Sequence, residues 1–182
     1  MNIEVILVDE HDREVGFMEK MEAHNKGLLH RAVSVFIFNK KGEMLLQQRA
    51  NSKYHSGGLW SNACCSHPLP NESVSDNANR RLREEMGFDT DLQFAFSFIY
   101  KTVFENGLTE YEFDHVFAGV YDGVIKPDHA EVKDYCFMKM DAIEESLIQH
   151  QHKYTSWFSI AFPKIAAFQK TNSIGIQQQD VN

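Results

Sequence analysis

The residue types best suited to chemistry in this chain fall in four short stretches. Asn62-Ala63-Cys64-Cys65-Ser66-His67-Pro68 sets two thiols beside an imidazole. A thiol serves as nucleophile or proton donor, although a lone free cysteine is more often core filler. Glu110-Tyr111-Glu112 reads as strand, where alternate residues share a face, so its two carboxylates converge. Asp114 continues that face and is expected as a surface residue. His24 and His30, too far apart for a His-x3-His helical pair, add two imidazoles. With His67, Glu110 and Glu112 they make a donor set suited to a borderline divalent ion, Mn²⁺, Fe²⁺ or Zn²⁺, in a roughly octahedral site. The fourth stretch is Arg80-Arg81-Leu82-Arg83-Glu84-Glu85-Met86-Gly87-Phe88. Arg81 and Glu85 are four apart and project from one helix face; as an exposed pair they contribute a few tenths of a kcal/mol. As a site, Glu85 would hold a hard cation such as Mg²⁺ while arginines grip phosphate oxygens.

These stretches need elements to position them. Ile3 to Val8 is strand-like, and Ala32 to Phe38 is β-branched and aromatic. Asn39 to Gly42 reads as a turn and Glu43 to Gln48 as the return strand. Ser52 to Asn71, with two glycines and two prolines, reads as loop around a short apolar piece. Ser73 and Asp76 resemble a capping box, Ala78, Leu82 and Met86 form a stripe, and Gly87 stops the helix. Leu92, Phe94, Phe96, Phe98 and Tyr100 alternate and are expected on one strand face. Asn106-Gly107 leads into a long strand, Glu110 to Tyr121. A strand at Tyr135 to Met138, an acidic helix at Asp141 to Leu147 and a helix at Thr155 to Lys170, bent or restarted at Pro163, follow. The fold class is α/β (α+β), a mixed sheet with helices, in one domain over 1–170, with a polar, loose tail over 171–182.

Composition narrows the partners. Acidic residues number 26 against 18 basic, net −8, opposite in sign to most nucleic-acid and anionic-membrane binders. An anionic small substrate needs only a local basic cluster. Three cysteines, two of them adjacent, make no disulfide framework and point to a reducing compartment. No apolar stretch reaches the roughly 20 residues of a membrane span, and the start shows no signal-peptide pattern, so a cytoplasmic protein is expected.

The spacing from Glu72 through Arg80, Leu82, Glu84, Glu85, Gly87 and Phe88 resembles the Nudix box, G-x5-E-x7-R-E-U-x-E-E-x-G-U, with U apolar. Ser66 stands in place of the first glycine and Arg81 in place of the first glutamate of R-E. A guanidinium where a hydrolase keeps a carboxylate removes a hard ligand and favours binding a diphosphate over cleaving it. A Nudix pyrophosphohydrolase is therefore kept as the alternative reading. The segments AHNKGLLHRAV, QQRANSKYHSGGLWSN, CSHP, RRLREEMGF, TEYEFDHVF and TSWF, in this order over about residues 3 to 165, resemble the type 1 isopentenyl-diphosphate Δ-isomerases. That resemblance implies a Nudix-like mixed β-sheet sandwiched between helices. It also implies a 1,3-proton shift between isopentenyl and dimethylallyl diphosphate through a tertiary carbocation, in isoprenoid biosynthesis. It implies Cys65 and Glu112 as the catalytic pair, Cys65 being chosen over Cys64 because Cys-x-His-Pro then aligns. Arg49, Lys53, Arg81, Tyr100 and Trp157 are implied to bind substrate. A divalent ion, Mn²⁺ first with Zn²⁺ or Fe²⁺ as alternatives, is implied on His24, His30, His67, Glu110 and Glu112. Mg²⁺ is implied between the diphosphate, Glu85 and the carbonyl of Cys65. The expected partner is a small diphosphate, with no nucleic acid and no membrane, and the chain is expected as a monomer or weak homodimer.

Overall fold

The structure is a computed structural model that describes residues 3–172 and 174. Its centre is β3 (His30–Phe38), in which Val33, Val35 and Ile37 point to one face and Phe36 and Phe38 to the other. Both faces are buried, which is why this strand reads as a continuous apolar run. β3 pairs in parallel with β8 (Thr109–Val120) and antiparallel with the short β6 (Cys64–Ser66). β8 also pairs with β7 (Leu92–Val103). β4 (Met44–Arg49) pairs with β5 (Trp60–Ser61) and β9 (Val132–Met138). β1 (Glu4–Val8) and β2 (Glu14–Glu19) form an antiparallel hairpin that extends the sheet beyond β3.

Two helical layers cover this mixed sheet. On one side α2 (Val74–Met86) packs Ala78, Leu82 and Met86 onto Val33, Val35 and Ile37. Ser73 caps it by accepting from the Asp76 N–H at 3.0 Å, and Gly87 ends it at φ 74°. A Cβ at Gly87 would overlap the carbonyl of Lys126, so glycine is required there both by conformation and by space. On the other side α4 (Ser156–Asn172) lays Trp157, Phe158, Ala161, Phe162 and Ile165 on Phe36, Phe38, Met44 and Leu46. The expected Nudix-like sheet between helices is the architecture found. α3 (Met140–His150) lies between β9 and α4 in sequence, and a short α1 (Lys20–Lys26) precedes β3.

Three expectations are corrected. The alternation from Leu92 to Tyr100 breaks at a register shift between Phe94 and Phe96. Leu92 therefore packs toward α2 while Phe96, Phe98 and Tyr100 pack toward α4, and Phe94 is 53% exposed. A bulge adds one residue and so exchanges the faces beyond it. Asp114 is not a surface residue; it is buried at 1% exposure. The last helix runs through Pro163 and ends at Asn172, past the expected boundary, and Ile174 is buried. The rest of the expected tail, 173 and 175–182, lies outside the described residues. Strand β2 and helix α1 had no counterpart in the sequence reading.

Candidate active site and metal centre

Strand pairing assembles the site. The parallel register of β3 and β8 sets His30 opposite Glu112, and β7 sets Tyr100 opposite Glu112 and Thr102 opposite Glu110. β6 sets Cys65 opposite Ser34. The alternation of β6 then separates the adjacent thiols. Cys64 is buried in the α2-side core, while Cys65 faces a cavity of about 60 Å³ lined also by Glu112, Tyr100, Trp157, Arg49 and Lys53. Ser66 pairs with Val33 and has no left-handed φ, so the serine in the glycine position of the motif is unstrained.

The Cys65 sulfur is held on three sides. The Trp157 indole N–H donates to it at 3.1 Å, and its own S–H donates to Asn62 Oδ1 at 3.1 Å. Ser34 Oγ lies 3.6 Å away and donates to Asp114 at 2.7 Å. The Asn62 amide cannot turn, because its N–H groups are given to the carbonyls of Val35 and Cys64 at 3.1 and 2.8 Å. Burial, with the Asp114 charge behind it, pushes the Cys65 thiol up to about 12, so it stays a thiol at neutral pH. Burial and Glu112 in turn push Asp114 up to about 8.

Across the cavity, His24, His30, His67 and Glu112 offer one ligand atom each, all within 4.8 Å of one another. His24 Nδ1 and His30 Nδ1 meet the carbonyls of Lys20 and Leu28 at 2.6 and 2.8 Å. A carbonyl only accepts, so both Nδ1 atoms carry the proton and both Nε2 atoms present lone pairs inward. Among the described residues His24 Nε2 has no hydrogen-bond partner, and His30 Nε2 lies 3.2 Å from His67 Nε2 and 3.6 Å from Glu112 Oε1. Burial lowers His24 to about 4 and His67 to about 3, so both are neutral imidazoles at pH 7. Inward lone pairs beside a carboxylate are mutually repulsive unless a cation sits among them, so the donor set fits a divalent ion.

Glu110 belongs to a second, overlapping group with His24 and His55, and its Oε1 lies 3.0 Å from His55 Nε2. Burial and the neighbouring Glu112 raise it well above the carboxylate range. Tyr100 gives its hydroxyl proton to Glu112 at 2.6 Å, with Glu110 at 3.2 Å. Arg49 lies over the Trp157 ring at 5.2 Å, and Lys53 is ion-paired with Glu131. Arg81 and Glu85 pair at 2.6 Å but do not line the same cavity; Arg81 faces an adjoining groove with Lys20, Ser66 and His67. Lys20, Ser34, His55 and Asn62 were missed by sequence reading. No periodicity marks them, and Asp114, which continues the Glu110/Glu112 face into that interior, was expected at the surface.

Comparison with known proteins identifies the family and the fold. Residues 28–158 match the NUDIX domain family model. Isopentenyl-diphosphate Delta-isomerase 2 of Aromatoleum aromaticum is 48% identical over 183 residues, covering 100% of this chain and 96% of the relative. The Pectobacterium atrosepticum isopentenyl-diphosphate Delta-isomerase is 49% identical over 162 residues, covering 89% and 90%. Among solved structures, the Deinococcus radiodurans protein DR0079 superposes with TM-score 0.74 at 15% identity, covering 88% of this chain and 98% of the other. The MutT protein of Methanosarcina mazei gives 0.62 at 20% identity, covering 79% and 95%. The low-identity structures establish the fold, and the close sequence relatives go further: this chain belongs to the isopentenyl-diphosphate Delta-isomerase family, built on the NUDIX domain.

Proposed function

We propose that the protein interconverts isopentenyl and dimethylallyl diphosphate by a 1,3-proton shift, with Cys65 and Glu112 as its acid–base pair. The observation that carries this is their joint presence on one cavity walled by Trp157 and Tyr100. An unactivated alkene is a weak base and needs a positioned acid. One group of the pair delivers a proton to the terminal carbon, the π electrons form that C–H bond, and a tertiary cation is left. The other group then takes a proton from C2, and the C–H electrons become the new double bond. Burial excludes water from the cation, and the Trp157 face stabilises it by roughly 2 kcal/mol when desolvated. The Tyr100 hydroxyl fixes the Glu112 carboxyl, and the Asn62, Ser34 and Trp157 contacts fix the sulfur.

His24, His30, His67 and Glu112, with Glu110 alongside, would hold a divalent ion, Mn²⁺ first, which supplies fixed positive charge that orients and acidifies the Glu112 side of the site. Arg49, Lys53, Arg81 and Lys20 would bind the diphosphate, with Mg²⁺ held by Glu85 and the Cys65 carbonyl. The setting that fits is cytoplasmic, and Cys64, Cys65 and Cys136 are all free thiols. Among the described residues no helix is long and apolar enough to cross a membrane. Hydrolysis is the poorer reading. Glu72 is taken up by Arg80 at 2.6 Å and Glu84 by Arg81 at 2.6 Å, which leaves these motif carboxylates paired with arginines instead of gathered for metal. The test incubates isopentenyl diphosphate with Mg²⁺ and Mn²⁺ and follows proton and phosphorus NMR. Dimethylallyl diphosphate with no phosphate release is expected; phosphate release without isomer would overturn the reading.

A further inference from the structure

Glu131 is a half-buried acid for which the proposed chemistry has no use, yet it sits between two of its cations. Its carboxylate pairs with Lys53, from the loop after β4, and lies 3.6 Å from Arg81 Nη2, on α2. Its carbonyl accepts from the Ala50 N–H at 2.9 Å, so the backbone is anchored, while the side chain is 27% exposed and lies at the edge of solvent. Arg81 keeps closer partners, Glu84 and Glu85, both at 2.6 Å, so Glu131 is the contact it gives up most easily. We propose that Glu131 stands in the free protein where the diphosphate would bind, between Lys53 and Arg81, and sets diphosphate affinity because the incoming anion must displace it. The inference rests on the diphosphate reading above and names the residue that tunes it.

The physical reason is competition within one molecule. A tethered carboxylate acts at an effective concentration of about millimolar or more. Free carboxylates and weakly charged anions lose to it. A diphosphate brings several negative charges to the two cations at once and wins. Removing the tethered charge therefore tightens binding of any anion that needs both cations, while cation binding at the histidine cluster stays as it was.

Calorimetric titration of inorganic pyrophosphate with Mg²⁺ into the wild type, Glu131→Gln and Glu131→Ala tests this. Tighter binding by both variants, by roughly tenfold, is expected for the loss of one partly buried charge pair. Glu144→Gln, which removes an exposed charge on α3, should leave pyrophosphate affinity unchanged, and Mn²⁺ affinity should be the same in all four proteins. A loss of structure cannot tighten binding, so the gain separates competition from scaffolding. Unchanged or weaker pyrophosphate binding in both Glu131 variants overturns the proposal. Equal tightening in Glu144→Gln also overturns it, in favour of a net-charge effect. If wild type isomerises while the Glu131 variants bind as wild type does, only the Glu131 proposal falls. If wild type is inactive while they bind more tightly, only the isomerase reading falls. Pyrophosphate binding by none of the proteins overturns the Glu131 proposal along with the diphosphate site.

Discussion

Lowering the pH separates a buried metal centre from a surface cluster of histidines. Two of the imidazoles, His24 and His67, are pressed by burial to about 4 and about 3. At pH 5.5 both remain almost wholly neutral. Two histidines of ordinary pKa, about 6.5, would each be neutral only about one time in eleven at that pH, and proton competition would weaken Mn²⁺ binding by about 100-fold. Here neither His24 nor His67 takes up a proton between pH 7.5 and 5.5, so the loss should stay well below that 100-fold, as read from the free-Mn²⁺ EPR signal. The same shifts act on folding in the opposite sense. A histidine whose folded value is depressed contributes stability that is present above its unfolded value of 6.5 and is lost as pH falls toward 4. The metal-free protein should therefore lose stability over that window. Added Mn²⁺ at 100 times its dissociation constant should restore about 2.7 kcal/mol, an increase in Tm of roughly 5–10 °C for a domain of this size. A 100-fold loss of Mn²⁺ affinity at pH 5.5, or no Tm response, would refute the four-ligand centre.

Other perturbations probe single contacts. Trp157→Phe keeps an aromatic face but removes the indole N–H at 3.1 Å from Cys65 Sγ, so kcat should fall about fivefold, the worth of one hydrogen bond of ~1 kcal/mol; an unchanged kcat would detach Trp157 from the sulfur. Cys64→Ala should isomerise at near wild-type rate and lose about 1 kcal/mol of stability in urea unfolding, because Cys64 packs in the α2-side core; a folded but inactive variant would exchange the roles of the two thiols. Gly87→Ala should lose at least ~2 kcal/mol, because φ 74° and the Lys126 carbonyl both oppose a side chain; a change under ~0.5 kcal/mol would show that the helix end relaxes freely.

The sequence made legible whatever is local. The capping Ser73, the terminating Gly87 and the 3.6-residue stripe on α2 follow from propensity and steric rules that act within a few residues. The motif positions also led to the residues that meet here, Cys65, His67, Glu110 and Glu112 among them. What lay beyond sequence reading depends on pairing across distance. Asp114 becomes buried because β7 and β3 flank β8 and Ser34 supplies a hydroxyl from 80 residues away. His55 sits in a loop with no periodic signature, and only the fold stacks it on Phe104 at 4.6 Å and brings it to Glu110. The bulge between Phe94 and Phe96 leaves the alternation of the sequence intact while reversing its meaning.

The most direct test of the account follows isopentenyl diphosphate by NMR in D₂O with metal-loaded wild type, Cys65→Ala and Glu112→Gln. A thiol and a carboxyl working from two sides of one carbon skeleton predict isomer formation and deuterium uptake in the wild type, and loss of isomer formation in both folded variants, with Mn²⁺ still bound by Cys65→Ala. Full isomerisation by either variant would contradict that central claim.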